Sequence, residues 1–363
     1  MNHSFGKLLF LTPYPFGAAP SQRFRFEQYI EFLEEKGFKI LYKSFWSAQA
    51  WKILYIPRNR RYKIFWLLWG FIRRFWHIIQ YRKAEVVFIH READPLGSPV
   101  FPYLLKFIFK KKLIYDFDDA IWIPNSSHSN KALQNFKFWS NTSYLCKKSD
   151  LIHAGNEYLA NYARKFNSKV KVIPTTINTQ TWHNKVKVFN DHDPLVVGWT
   201  GSHSTLFYLY DIYPVLKATQ QEIPFEFLVI CDVQPESIPG LNIRFIPWRK
   251  ESEVNDLLQI SIGIMPLRDD QWSRGKCGFK AIQYMSLGIP ALVSPVGVNT
   301  AIVDHGINGF HCSHSDDWGK YITLLHHDRG LLRKLGAAAR PKIESHYSVH
   351  AIKPYFLNSF IEI

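Results

Sequence analysis

The 363-residue chain has only four cysteines, Cys146, Cys231, Cys277 and Cys312, which lie far apart with no C-x-x-C pair. That scarcity excludes a disulfide framework and a thiolate zinc site, and it suits a reducing compartment. Long apolar runs are also missing. The longest, Ile64 to Ile72, has nine residues, against the roughly 20 that a membrane-spanning helix needs, so no segment is expected to cross a bilayer. The opening MNHSFGKLLFLTPYP holds too short an apolar run for a signal peptide and reads as a first buried strand, so the chain is expected to stay in the cytoplasm. Long Ser, Gln or Pro tracts are absent, and 47% apolar residues suffice for ordinary cores throughout, which excludes disorder.

Acidic residues are missing from one long stretch. Between Lys36 and Ala84 there are twelve Lys or Arg and no Asp or Glu, interleaved with fourteen aromatic residues, in a chain of net charge +15. Such a stretch suits an anionic lipid surface, a helix whose basic edge is simply solvated, or a nucleic acid. At 100° per residue, Phe65, Trp69, Ile72, Trp76 and Ile79 share one helical face, with Lys63, Gly70, Arg73, Arg74 and His77 on the opposite stripe. The pattern predicts a domain helix that also presents Trp69, Arg73, Arg74 and Trp76 to an anionic inner-membrane surface. No nucleic-acid partner is expected, because no nucleic-acid-binding module accompanies the charge.

Single cores rarely grow beyond roughly 250 residues, so this length predicts two domains. Short apolar runs alternate with helical stretches: strand-like KLLFLTPYP, helix-like RFRFEQYIEFLEEKG, strand-like FKILYKSF, the basic helix, strand-like EVVFIH, helix-like PVFPYLLKFIFKK, strand-like KLIYDFD and LIHAGN, helix-like EYLANYARKF and strand-like KVKVIP. After a polar stretch the rhythm restarts at PLVVGWTG and continues through FEFLVICD, NIRFIP, ISIGIMPL, CGFKAIQYMSLG and PALVSP. This alternation implies two parallel sheets covered by helices. The predicted divisions are an N-terminal domain over 1–175, a linker over 176–194, a C-terminal domain over 195–345, and a final helix over 346–363 that returns to the first domain. Ligands of such sheets bind at the carboxyl ends of the strands, so a cleft between the two domains is the expected site.

Two segments carry a resemblance. VKVIPTTIN is similar to the V-x-V-I-P-N-G-V-D hinge of retaining GT-B glycosyltransferases, the glycosyl transferases group 1 family. GKCGFKAIQYMSLGIPALVSPVGVNTAIVDHGINGF resembles that family's donor-site block, E-x-F-G-L-x-x-L-E-A-M-A-x-G-x-P-V followed by G-G-x-x-E-I-V-x-D-G-x-N-G-F. PSQRFRFEQYIEFLEEKG and KLIYDFDDAIW look like a bacterial branch that builds cell-envelope polysaccharide and lipopolysaccharide. The resemblance implies an α/β fold of GT-B type, with two Rossmann-like domains facing each other across a cleft. It implies transfer of a sugar from a nucleotide-sugar donor to a glycan or lipid-linked acceptor with retention of configuration, and neither a cofactor nor a divalent metal. Two family glutamates fall on Gly275 and Gln283. GWTGSHST stands where an Arg and Lys often follow the first strand of the second domain. These losses motivate a second reading, a catalytically weak relative that binds a nucleotide or glycan as a scaffold.

A departing nucleoside diphosphate needs cations and helix N-termini. Arg274, Lys276 and Lys280 around Gly275 and Gly278 are assigned to that task, with Gln283 accepting from the donor ribose. The turn Gly201-Ser202 and the loop carrying Gly297 and Asn299 complete the predicted donor site, while Trp199 and His203 either touch the donor or pack. In the first domain Gly17, Ser21 and Arg23 form a loop for phosphate or acceptor, and Arg25 is a candidate for pairing with Glu27 or Glu31 along a helix. The run Asp116 to Asp119 carries a D-x-D, which in the other large glycosyltransferase architecture binds a metal. In the resembled family the matching positions serve the catalytic cleft, which makes Asp118 and Asp119 the candidate catalytic residues, Asp118 as a general base. His90, beside Arg91 and Glu92, is a secondary candidate.

Overall fold

The computed structural model describes residues 6–54, 60–124, 138–190 and 192–363. The first half alternates strands and helices: β1 (Lys7–Thr12), α1 (Pro20–Arg23), α2 (Ile30–Glu35), β2 (Lys39–Ser44), α3 (Ala48–Leu54), α4 (Arg60–Gln80), β3 (Val86–His90), α5 (Val100–Tyr103), β4 (Lys112–Phe117), α6 (Asn141–Lys148), β5 (Leu151–Ala154), α7 (Glu157–Arg164) and β6 (Val170–Val172). All pairings are parallel, in the order β2-β1-β3-β4-β5-β6. Every residue of VVFIH in β3 is buried, as a parallel strand covered on both faces requires.

The helix predicted over RFRFEQYIEFLEEKG is broken. Phe24, Arg25, Phe26 and Glu27 are all buried, and successive helical residues turn by 100°, so one regular helix cannot send four neighbours inward. The chain instead leaves α1, makes a single 3-10 turn at Glu27–Tyr29, and only then enters α2.

The second half contains β7 (Val196–Thr200), α8 (Leu206–Tyr210), α9 (Tyr213–Glu222), β8 (Glu226–Cys231), β9 (Ile243–Pro247), α10 (Glu253–Leu257), β10 (Ile262–Met265), α11 (Gln271–Arg274), α12 (Phe279–Ser286), β11 (Ala291–Val293), α13 (Asn299–Ile302), β12 (Gly309–His311), α14 (Ser315–His327), α15 (Arg329–His346) and α16 (Val349–Ile361). Its sheet is also parallel, ordered β12-β11-β10-β7-β8-β9. The core is a continuous apolar cluster running from Leu195 to Leu335, with Trp199 among its buried members.

The chain divides into two units. One takes the chain to Thr175 and resumes at Lys353; the other is Thr176–Ile352. The polar stretch expected as a linker packs within the second unit: Lys187 N–H donates to Leu287 O, and the Arg340 guanidinium donates to the carbonyls of Thr179, His183, Lys185 and Ser286. In the first unit Phe356 stacks on Tyr29 at 4.5 Å, and Phe360 lies 6.0 Å from Phe10 and 6.1 Å from Phe88. Among the described residues no helix is long and apolar enough to cross a membrane.

Candidate functional site

The second unit gathers the segments singled out as a donor block. α11 ends at Arg274, and α12 begins after Gly278, whose φ of +66° places it in the left-handed region. Gly297, with φ of +57°, faces the backbone of Arg274: a Cβ at that position would lie 2.7 Å from Arg274 O. Only glycine fits there, so the 295–299 loop comes into contact with the turn that carries the cations. The side chains of this turn are already engaged. Arg274 pairs with Asp269, with Nε 2.6 Å from Oδ1. Lys276 lies over the rings of Trp272 and Tyr208, at 5.5 and 5.8 Å. Lys280 lies 5.3 Å over the ring of Trp199. Asn299 is buried and donates to Ser294 O at 3.0 Å.

Trp199 is packed in the core, so of the two roles left open for it, packing is the one it has. Gly201 donates its N–H to Ile230 O at 3.0 Å, and its missing side chain makes room for the Trp199 ring. Ser202 caps the turn 203–205. His203 binds Asp232 twice, through its backbone N–H and through Nδ1, both at 2.6 Å. Burial pushes the Asp232 carboxyl up, but the His203 hydrogen bonds prevail and hold it below the usual carboxylate range.

Trp248, Glu253 and Tyr284 were not singled out from the sequence. Gln283 is buried, and its Nε2 donates to Glu253 Oε1 at 3.3 Å. Glu253 also accepts from Trp248 Nε1 at 3.2 Å. A carboxylate therefore sits beside the position where the resembled family carries one, delivered from thirty residues upstream. No local pattern announces such a pairing. Tyr284 accepts the Thr200 N–H at 2.9 Å through its hydroxyl and ties α12 to the end of β7.

The first unit holds a second charged constellation at the ends of β3 and β4. Asp116 is buried, and its two oxygens are divided between Arg25 and His90, with His90 Nδ1 2.6 Å from Oδ2. Burial pushes the Asp116 carboxyl up, but the Arg25 and His90 charges and hydrogen bonds outweigh it and keep it ionised well below the usual range. Arg25 also donates to Ile173 O; its partners are thus on β4 and after β6, not along its own helix. His90 was the secondary catalytic candidate. Its ring is fully buried against Phe26, at 5.1 Å, where it serves the Asp116 pair and offers no surface to a substrate.

Arg91, a non-glycine residue at φ of +57°, reaches both remaining aspartates: Nε to Asp118 Oδ1 and an amino group to Asp119 Oδ2, each at 2.6 Å. Against the effect of burial, the Arg91 and His90 charges hold Asp118 below its ordinary value. Arg91 thus holds Asp118 and Asp119 as anions at the ends of one guanidinium fork. The loop after β1 is held from inside: Gly17 N–H donates to Glu27 Oε2 at 2.8 Å, and Gln22 and Tyr42 donate to Glu27 Oε1 at 3.1 and 2.7 Å. Ser21 and Arg23 are half-buried on α1, with Arg23 4.8 Å over the ring of Phe24.

Residues 239–342 match the family model described as Glycosyl transferases group 1. Over 99% of both chains, the structure is similar to sucrose-phosphate synthase from Thermosynechococcus elongatus at 14% identity and a TM-score of 0.70. The fold is GT-B. The HepE protein of Anabaena in complex with UDP-glucose aligns over 99% of this chain and 100% of its own, at 13% identity and a TM-score of 0.64. The lipopolysaccharide outer core galactosyltransferase WaaB aligns over 98% and 100%, at 12% and 0.58. No curated protein matches the chain. The matched segment runs from the loop before β9 into α15, so it contains α11, α12 and the 295–299 loop, which carry the expected donor residues other than Gly201 and Ser202. Four residues expected on a membrane face, Trp69, Arg73, Arg74 and Trp76, all lie on α4. Trp69 and Trp76 are exposed and Arg73 half-buried, whereas Arg74 is completely buried. Its guanidinium donates to Lys43 O at 2.8 Å and to Thr12 O at 2.7 Å, carbonyls at the ends of β2 and β1, the second of which also accepts the Phe45 N–H.

Proposed function

We propose that the protein is a nucleotide-sugar-dependent glycosyltransferase that transfers a hexosyl group, with retention and without a resident metal, to a glycan or lipid-linked acceptor of the bacterial cell envelope. It would act at the cytoplasmic face of the plasma membrane. The observation that carries the reading is the turn from Arg274 to Lys280: three cations surround the N-terminus of the eight-residue α12, against the Gly297 loop. The first backbone N–H groups of a helix, together with lysine charge, stabilise the negative charge that grows on a departing diphosphate. Lys276 and Lys280 rest on aromatic rings, contacts that a stronger anion can outcompete. Gln283, with its amide nitrogen turned to Glu253, keeps its carbonyl oxygen as an acceptor for the donor ribose. The UDP-glucose complex of HepE and the galactosyltransferase WaaB support a sugar nucleotide as donor and an envelope glycan as acceptor. In the first unit, Arg91 holds Asp118 and Asp119 as a fixed anionic pair that orients the acceptor.

The test is thermal stabilisation by UDP, GDP, ADP, CMP and their sugar conjugates, with Lys280→Ala alongside. One nucleoside diphosphate should raise the melting temperature selectively, by the equivalent of about 2.7 kcal/mol at a hundredfold excess over its dissociation constant. The variant should lose that shift. The substitutions of both family glutamates, leaving Gly275 and Gln283, favour the scaffold reading; turnover of the selected donor would dismiss it, and binding without turnover would establish it.

A further inference from the structure

α4, at 21 residues the longest helix of the first unit, lies the opposite way round from an ordinary amphipathic helix. Its inner side carries Gly70, Arg74 and Ile78, with Trp66, Leu67 and Phe71 packed on Phe45, Trp46 and Ala50. Gly70 sits on the Phe45 ring so closely that a Cβ would lie 2.5 Å from it. Arg73 donates to Ser44 O at 3.1 Å, and Arg74 caps two further carbonyls. The two arginines of the basic stripe are therefore spent on fastening the helix to the domain. What remains outside is Tyr62, Ile64, Phe65, Leu68, Trp69, Ile72, Phe75 and Trp76, each between 44% and 63% exposed. From Tyr62 to Trp76 this ridge is about 21 Å long at 1.5 Å per residue.

We infer that this ridge is a membrane-docking face, which lies in the interfacial layer of an anionic bilayer with the aromatic side chains buried at headgroup depth. Monomeric proteins rarely expose an apolar patch of this extent without a partner for it. The charge around it selects the partner. Arg61, Lys52, Arg82 and Lys83 are exposed before and after the ridge, and no acidic residue occurs between Lys36 and Ala84. α5 packs against α4 through Phe101 on Phe71 at 6.0 Å; Val100 and Tyr103 of α5, and Phe107 and Ile108 of the helical turn that follows it, are also exposed, as are Lys110 and Lys112 beyond. Apolar residues bordered by cations fit anionic headgroups over acyl chains. A second copy of the chain would oppose cation to cation. The inference extends the location proposed above and is read by lipid binding alone, so its failure is distinguishable from failure of the donor site.

The test is co-sedimentation of the full chain with vesicles of phosphatidylglycerol and phosphatidylethanolamine, against phosphatidylcholine alone. Wild type should partition at least tenfold more strongly into the anionic vesicles. The variant Phe65→Ser/Trp69→Ser/Trp76→Ser should lose at least tenfold of that binding while keeping its melting temperature and its nucleotide response, because those side chains support no core. A variant that binds as wild type does, or a wild type that leaves both vesicles empty, overturns the inference. So does a wild-type dimer in solution that the triple substitution dissociates, since the ridge would then belong to a second copy.

Discussion

Replacing Asp116 by Asn removes the charge that Arg25 and His90 share in a dry site. Breaking a buried pair from one side typically costs about 3–5 kcal/mol, so chemical denaturation should show a loss of that order, whereas Asp119→Asn, at the more open end of the Arg91 fork, should cost less. Acid sensitivity has a separate origin. Burial lowers His153 from 6.5 to about 3, and burial with the neighbouring Arg74, Arg73 and Lys43 charges does the same to His77. Both are neutral when folded and protonate more readily when unfolded, so their contribution is complete above about pH 6.5 and fades as pH falls towards 3. Both ring nitrogens of His153 lack a hydrogen-bond partner among the described residues, and the ring packs on Phe88 and Phe356. His153→Phe should therefore flatten the slope of stability between pH 7 and 5, measured by urea midpoints. Of these residues the sequence makes Asp118 and Asp119 conspicuous by their run. It gives no hint that Asp116 is the charge centre, because its partners arrive from positions 25 and 90.

At the level of elements, the β/α alternation was legible because parallel strands buried on both faces spell themselves out as unbroken apolar runs. The helix start at Gly278 was legible because a turn glycine and clustered cations are local features. α4 was only half legible. The periodicity sorts residues into two faces, but which face turns inward depends on carbonyls at the ends of β1 and β2 that accept Arg73 and Arg74. The broken helix after Pro20 has a similar cause, since Arg25 and Glu27 are drawn to partners outside their own segment. The stretch 176–194 looked like a linker through its polarity; the carbonyls of Thr179, His183 and Lys185, gathered by Arg340, make this part of it a strap of the second unit. Arg340→Ala should free that strap. Limited proteolysis should then cut within 179–187 faster, with a stability loss of about 1.5–3 kcal/mol, the range for hydrogen bonds to a charged group.

For the whole molecule, two separate cores mean that one unfolding free energy does not describe the chain. Calorimetry with a saturating nucleoside diphosphate should move the transition of the second unit upward and leave that of the first where it was. The first unit is discontinuous in sequence, because residues 353–363 supply Phe356 and Phe360 to an aromatic cluster begun by Phe10, Tyr29 and Phe88. Closing a flexible loop of about 350 residues carries an entropic cost of roughly 5 kcal/mol beyond the constant term. If the intervening unit folds first, it replaces most of that loop by a fixed body, and the closure shortens to what lies between Thr175 and Lys353. A nascent chain thus finishes its N-terminal half last: the second unit can fold while the first waits, with part of its aromatic core uncovered, for the final turns of α16 to be made.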